Sequence, residues 1–266
     1  MNFPYDRSFK LDPVMTDRRT TPPSPGAEPA PTRRKKRQAA SFELAPLKPE
    51  DADDTTQNRA YRALKAAVLG GAFYPGTTVT LAKLYADVTQ DLGPVDILLN
   101  AAGVFYPTPA GATPEADFDR MVDINLKGNW HMICGAVPAM KARRSGKIIC
   151  IASVAASYGV APFSIYCATK AAVVQMVRTL ALELAPHGVQ INAIAPGNTA
   201  SPMNQALRSD PSRVAAIAAV TPSGRAFSDV ADIAAIALFL ASDDSRAMHG
   251  SCLLADEGIS CGTVAH

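Results

Sequence analysis

The sequence predicts an α/β chain built on a parallel sheet, and three observations carry that prediction. The run IICIA (148–152) is continuously apolar, as a strand buried on both faces must be. The stretch after the next loop, AAVVQMVRTLALELA (171–185), places its apolar residues at helical spacing. Upstream, VTQDLGPVDILLN (88–100) reads as a helix running into a second apolar strand, so strands alternate with helices as they do in a parallel sheet with helical crossovers. The chain has 266 residues and 48% hydrophobic content, enough for the core of one such domain.

Taken in order, residues 1–56 are rich in Pro, Thr, Ala and charge (TTPPSPGAEPAPTRRKKRQ). That composition buries too little apolar surface to offset the entropy of ordering, so a disordered tail is expected. Its basic run Arg33–Arg37 has two readings, a nucleic-acid contact or a solvated charge cluster. Residues 57–70 (QNRAYRALKAAVLG) predict a helix ending near Gly70 or Gly71, and a Pro75-Gly76 turn follows. VTLAKLYAD (79–87) predicts a second helix entered through Thr80 as N-cap. Together, YRALKAAVLGGAFYPGTTVTLAKLYAD (61–87) resembles the opening of a GntR-type winged helix-turn-helix regulator. That resemblance stops near Asp87, where a recognition helix and wing would have to follow.

The segment from Ser153 to Lys170, SVAASYGVAPFSIYCATK, carries the chemistry. Tyr166 and Lys170 are four apart on a predicted helix, so a phenol and an ammonium share one face. A fixed positive charge favours phenolate and is expected to lower the tyrosine pKa toward the range of a general acid/base. Ser153 follows the apolar run directly, which puts a hydroxyl where strand gives way to loop and where it could hold a substrate oxygen. By itself a Tyr-x-x-x-Lys pair also fits an amphipathic helix with a snorkelling lysine.

Its surroundings distinguish the two. Ser-x12-Tyr-x3-Lys between this strand and this helix resembles the catalytic segment of the short-chain dehydrogenase/reductase family. VDILLNAAGV (95–104) is similar to that family's Asn-Asn-Ala-Gly strand end, with Ala101 replacing the second Asn. MVDINLKGNW (121–130) places Asn125 at the family's catalytic asparagine, and INAIAPGNTASPM (191–203) is similar to the strand and Pro-Gly turn beside the nicotinamide. GRAFSDVADIAAIALFLASDDSRAMHGSCLLADEG (224–258) is similar to the closing helix and last strand, so the resemblance runs from about Gly93 to Gly258.

The resemblance implies an incomplete doubly wound, Rossmann-like parallel sheet holding the later strands only, about four of them, and an NAD(P)-dependent oxidoreductase acting on a carbonyl or alcohol. It implies that Tyr166 is the acid/base, that Lys170 lowers its pKa and bonds the nicotinamide ribose, and that Ser153 orients the reacting oxygen. Asn125 would hold a proton-relaying water. Pro196, Gly197 and Thr199 would line the nicotinamide, and Asn100, Ala102 and Gly103 would back the cofactor cleft. For Asn125 and Asn100 the residues alone also fit polar caps at element ends. Trp130 and His131 read as packing residues of a helix.

The family's Thr-Gly-x-x-x-Gly-x-Gly turn has no counterpart. Before Gly93 the glycines are Gly26, Gly70, Gly71 and Gly76, none at that spacing. Since that turn brings backbone N–H groups to the pyrophosphate, the adenosine half of the cofactor has no visible site. The expected organisation is a tail (1–56), a helical segment similar to a partial GntR-type domain (57–92) and a catalytic region (93–266).

Three function classes follow: the oxidoreductase, a fused or truncated product of weak activity, and a DNA-binding regulator. Net charge of +2 and a pI near 8.3 select no polyanionic partner. Five cysteines without Cys-x-x-Cys spacing point to reduced thiols in the cytoplasm and to no metal site. No run approaches eighteen apolar residues. The expected partners are a small carbonyl or alcohol and further copies of the chain, rather than nucleic acid or membrane. The loop 198–225 is expected to cover the substrate. The helices at 116–143 and 164–185 are expected to form the oligomer interface, because the second is apolar on more than one face (Val173, Val174, Met176, Val177, Leu180, Leu182, Leu184).

Overall fold

The structure, a computed structural model, describes residues 9–10, 78–79 and 81–262. The helix expected at 57–70, the Pro75-Gly76 turn, the Thr80 cap and most of the tail lie outside the described residues. The chain divides into two units, Met1–Gly93 and Pro94–His266. In the first, strand β1 (Phe9–Lys10) pairs antiparallel with β2 (Thr78–Val79), so these two tail residues are in a strand where disorder is expected. Helix α1 (Leu81–Leu92) follows, longer than the reading VTLAKLYAD and continuous with the helix expected before Gly93.

The second unit holds a four-stranded sheet: β3 (Ile97–Asn100), β4 (Gly146–Ile151), β5 (Val189–Pro196) and β6 (Cys252–Ala255), adjacent in that order. All three pairings are parallel, with Leu99 opposite Ile149, Ile149 opposite Asn192 and Ile194 opposite Leu253. The expected four-stranded parallel sheet is therefore present.

Parallel neighbours need crossovers, and helices supply them. Between β3 and β4 run α2 (Glu115–Val122), a π-helical turn (Asp123–Lys127) and α3 (Gly128–Arg143). Between β4 and β5 runs α4 (Ser164–Leu184), which packs on β5. Between β5 and β6 lie α5 (Gln205–Arg208), α6 (Pro211–Val220) and α7 (Val230–Ala241). Helix α7 is capped by a box in which Asp229 and Asp232 bond each other's backbone, and its Ile233, Ile236 and Leu240 pack on Ile149, Ile151 and Ile194. Because strand side chains alternate, Ile148 and Cys150 face the opposite side of β4.

Helix α4 is the one described helix long and apolar enough to cross a membrane by length and composition. Its Val173, Val177, Leu180 and Leu184 are buried within the chain, and so is Lys170, as in a core helix. The apolar breadth of that helix therefore has a cause inside the chain. Five of the seven apolar residues named for it are consumed by the fold itself, and Leu182, 79% exposed, is the one left large and open. Trp130, expected to pack, is exposed.

Strand β3 is an edge among the described residues. Its Leu98 and Asn100 are buried, whereas Ile97 and Leu99 are 44% and 48% exposed, so one face of this edge strand is uncovered.

Candidate active site

Every strand of the sheet delivers its C-terminal end to one region, where open parallel sheets place their ligand sites. Strand β3 ends at Asn100, β4 leads through Ile151 to Ser153, β5 ends at Pro196 and β6 at Ala255.

Ser153 has extended backbone and caps a 3-10 turn (Val154–Ala156), accepting from the Ala155 N–H at 3.2 Å. Its hydroxyl lies beside the Tyr166 phenol and favours the ionised form of that group. The helix bearing Tyr166 starts at Ser164 because Thr108 holds its first turn. Thr108 N donates to Pro162 O at 2.7 Å, Thr108 Oγ1 accepts from Ile165 N at 3.2 Å, and Ser164 Oγ donates to Thr108 O at 3.2 Å. This clamp draws the loop after β3 against the site and brings Phe105 to Tyr166, edge to face, with ring centroids 4.7 Å apart.

Lys170 is only 4% exposed. Its Nζ donates to Ile151 O at 2.9 Å and lies 5.7 Å from the centre of the Tyr166 ring. Burial brings its pKa down to about 8, with the neighbouring Cys150 pulling slightly upward. The Cys150 thiol is itself pushed up to about 12 by burial, against a hydrogen bond from Asn100 and the Lys170 charge.

Tyr166 departs from expectation. Its pKa is raised above the ordinary value, first by burial, with the Ser153 hydrogen bond lowering it and Cys167 raising it. The reason is geometric: the ammonium points to the Ile151 carbonyl rather than to the phenol oxygen, and burial outweighs what the helix spacing offers. As it stands the phenol is held protonated.

Asn125 ties the loop after β3 to the site. It is fully buried in the π-helical turn, and its side chain is committed to backbone. Oδ1 accepts from Val104 N at 2.8 Å, while Nδ2 donates to Val104 O at 3.0 Å and to Thr169 Oγ1 at 3.3 Å. Its own carbonyl accepts from Asn129 Nδ2 at 2.8 Å. The amide therefore fastens the loop after β3 to helix α4, and Thr169 Oγ1 returns a bond to Tyr166 O at 2.8 Å.

The remaining expected residues converge. Gly103 sits where a Cβ would touch both Asn125 Oδ1 (3.4 Å) and Lys170 Nζ (3.5 Å). Ala102 beside it is exposed, and Asn100 Nδ2 reaches Asn129 O at 3.4 Å. Gly197 approaches β6 so closely that a Cβ would lie 2.8 Å from Asp256 Cα, and its N–H bonds Ala255 O at 2.9 Å. Pro196 ends β5, and Thr199 forms a parallel bridge with Ser228. Thr108, Thr169, Phe105 and Phe163 are additions the sequence reading missed. Thr169 sits inside the Tyr-Cys-Ala-Thr-Lys run and was open to notice; Thr108 acts across 54 residues on Pro162, which no local pattern signals.

A hydroxyl, a phenol and a buried ammonium at the strand ends of a parallel α/β sheet define a dehydrogenase- or reductase-class protein. A family profile described as enoyl-(acyl carrier protein) reductase matches residues 76–260. The chain is 36% identical over 172 residues to a 3-oxoacyl-[acyl-carrier-protein] reductase of Thermotoga maritima, covering 65% of this chain and 69% of that one. It is 39% identical over 178 residues to a 2-dehydro-3-deoxy-D-gluconate 5-dehydrogenase of Pseudoalteromonas atlantica, covering 66% and 70%. A gluconate 5-dehydrogenase of Burkholderia cenocepacia, solved with NADP and tartrate, superposes with a TM-score of 0.66 at 30% identity over 68% of this chain and 71% of that chain. The chain belongs to the short-chain dehydrogenase/reductase family. Because the match begins at residue 76, helix α1 lies within it, and the segment 76–87 is taken from the stretch that resembles a winged helix-turn-helix.

Proposed function

We propose that the chain transfers hydride between NAD or NADP and a small carbonyl or alcohol, using Ser153, Tyr166 and Lys170. The observation that carries this is the Ser153 hydroxyl set beside the Tyr166 phenol, where it lowers the phenol's pKa against the effect of burial, with a buried Lys170 next to the same ring. A protonated phenol suits the reductive direction, where a proton must reach the oxygen as the carbonyl becomes an alcohol. Ser153 holds that oxygen, and Tyr166 gives its proton to it. Lys170, charged below about pH 8, lies 5.7 Å from the centre of the ring on which the negative charge is left. Asn125 acts by holding Val104 and helix α4 in register.

The residues at the strand ends fit the nicotinamide half of the cofactor. Lys170 uses one of three N–H donors on Ile151, and Gly103 lets the loop after β3 pass close to that ammonium. Lys170 would bond the ribose, Pro196, Gly197 and Thr199 would line the ring, and Asn100, Ala102 and Gly103 would form the back. When bound, the dinucleotide supplies or takes up the hydride.

The adenosine half is where this chain differs. Residues 1–93 contain no Gly-x-x-x-Gly-x-Gly turn. Losing two or three charge-assisted backbone contacts of about 1.5–3 kcal/mol each weakens binding by roughly a thousandfold or more. A second reading is an assembled catalytic trio with weak cofactor binding and weak turnover. The proposed organisation is a tail (1–56), a connecting segment (57–92) and a catalytic region (93–266). Assembly into homo-oligomers is proposed on the exposed Phe118, Trp130 and Leu182 of α2, α3 and α4.

Fluorescence titration with NADH and NADPH, followed by Tyr166-dependent ketone reduction, tests the reading. Reduction lost in Tyr166→Phe supports it. Absence of any cofactor-dependent turnover at millimolar NADPH leaves the second reading.

A further inference from the structure

The two segments that meet at Tyr166 share a composition. Residues 100–112 (NAAGVFYPTPAGA) and 153–169 (SVAASYGVAPFSIYCAT) contain no charged side chain. What they place beside the phenol is aromatic. Phe105 stacks on Phe163 with ring centroids 4.3 Å apart and planes 12° from parallel, and meets the Tyr166 ring edge-on at 4.7 Å and 75°. Phe105 is nevertheless 39% exposed, so part of this residue of the aromatic cluster stays open. Tyr158, in the second segment, is open to the same degree, at 39%. Tyr106 is turned aside, its hydroxyl donating to Asp117 O at 2.7 Å.

Resting on the oxidoreductase reading of this site, we propose that its substrate is an aryl ketone or aryl secondary alcohol, with the flat ring seated on Phe105 and the oxygen at Ser153 and Tyr166. A sugar-acid substrate, of the kind named for the gluconate-type relatives, needs a cation for its carboxylate and donors and acceptors for its hydroxyls. Neither segment supplies a cation for that carboxylate, and the arginines of the 198–225 loop are engaged elsewhere, Arg208 with Asn204 and Ser201, Arg213 with Asp210, and Arg225 with Asp229, Asp232 and Glu257. An exposed aromatic face held rigid by a stacked neighbour instead gains from a second aromatic group, which prefers an offset or edge-on approach at about the separations already present among Phe105, Phe163 and Tyr166.

The test compares acetophenone with cyclohexyl methyl ketone, which has the same carbon skeleton with a saturated ring, and with gluconate. Binding is read by saturation-transfer NMR on the full chain, and hydride transfer is read separately, with NADPH for the two ketones and with NADP+ for gluconate. Acetophenone is expected to bind about three- to tenfold more tightly than the cyclohexyl ketone and well over tenfold more tightly than gluconate. Phe105→Leu, which keeps apolar volume and removes the ring, should erase the preference for acetophenone over the cyclohexyl ketone. Equal binding of the two ketones, tighter binding of gluconate, or a preference unchanged in Phe105→Leu overturns the aryl assignment. Because binding decides this proposal and hydride transfer decides the oxidoreductase reading, either fails without the other. Aryl binding without turnover sinks only the latter, and turnover of gluconate without aryl binding sinks only the former.

Discussion

Replacing Lys170 by Met removes a buried ammonium, and the consequence for stability depends on pH in a calculable way. The folded-state pKa of about 8 lies below the ordinary lysine value of 10.5, so between these values the unfolded chain binds more protons than the folded one. Stability of the native protein therefore rises with pH across that window, and below pH 8 it carries the full cost of burying the charge. A displacement of about 2.5 units at about 1.4 kcal/mol each puts that cost at roughly 3 kcal/mol. Against it stands the bond to Ile151 O at 2.9 Å, whose loss leaves a buried carbonyl unpaired at about 1–3 kcal/mol. Lys170→Met is thus expected to be neutral or modestly stabilising at pH 7 and destabilising at pH 10, the difference from wild type moving by about 2.5 kcal/mol. The raised thiol of Cys150 titrates over a higher range in both proteins and largely cancels. Urea unfolding followed by circular dichroism at the two pH values measures it. A difference between the proteins that stays flat from pH 7 to pH 10 would refute the claim that Lys170 is buried with a depressed pKa.

Ser153→Ala removes both the hydroxyl beside the Tyr166 phenol and the cap on Ala155 N; kcat/KM for ketone reduction should fall about ten- to a hundredfold, with a stability loss of about 0.5–2 kcal/mol in the same unfolding assay. Gly197→Ala forces a Cβ to 2.8 Å from Asp256 Cα, a backbone atom that cannot turn away, so the ends of β5 and β6 must separate; a loss of about 1–3 kcal/mol and weaker NADPH binding are expected by melting and fluorescence titration. Asn125→Leu strands the Val104 N–H and C=O at about 1–3 kcal/mol each, and a melting temperature equal to wild type would contradict the fastening role assigned to that side chain.

The pattern of strands and helices was legible because each is written locally. IICIA can only be a doubly buried strand, α4 repeats its apolar positions at helical spacing, and a parallel order follows once strands alternate with helices. Ser153, Tyr166 and Lys170 were legible for the same reason: strand end, loop and one helix face fix their neighbourhood. The sequence by itself determined which groups meet, and tertiary structure decided what their meeting does. Where the Lys170 ammonium points depends on the Ile151 carbonyl of a neighbouring strand, so the Tyr166 pKa rises where helical spacing alone predicts a fall. The sequence shows that α4 is apolar on more than one face, but only the tertiary packing shows that Val173, Val177, Leu180 and Leu184 are buried in the chain and Leu182 is left outside. Thr108 and Phe105 reach Tyr166 only because a loop more than fifty residues away folds onto its helix, and no local pattern encodes a contact closed by the topology of the sheet.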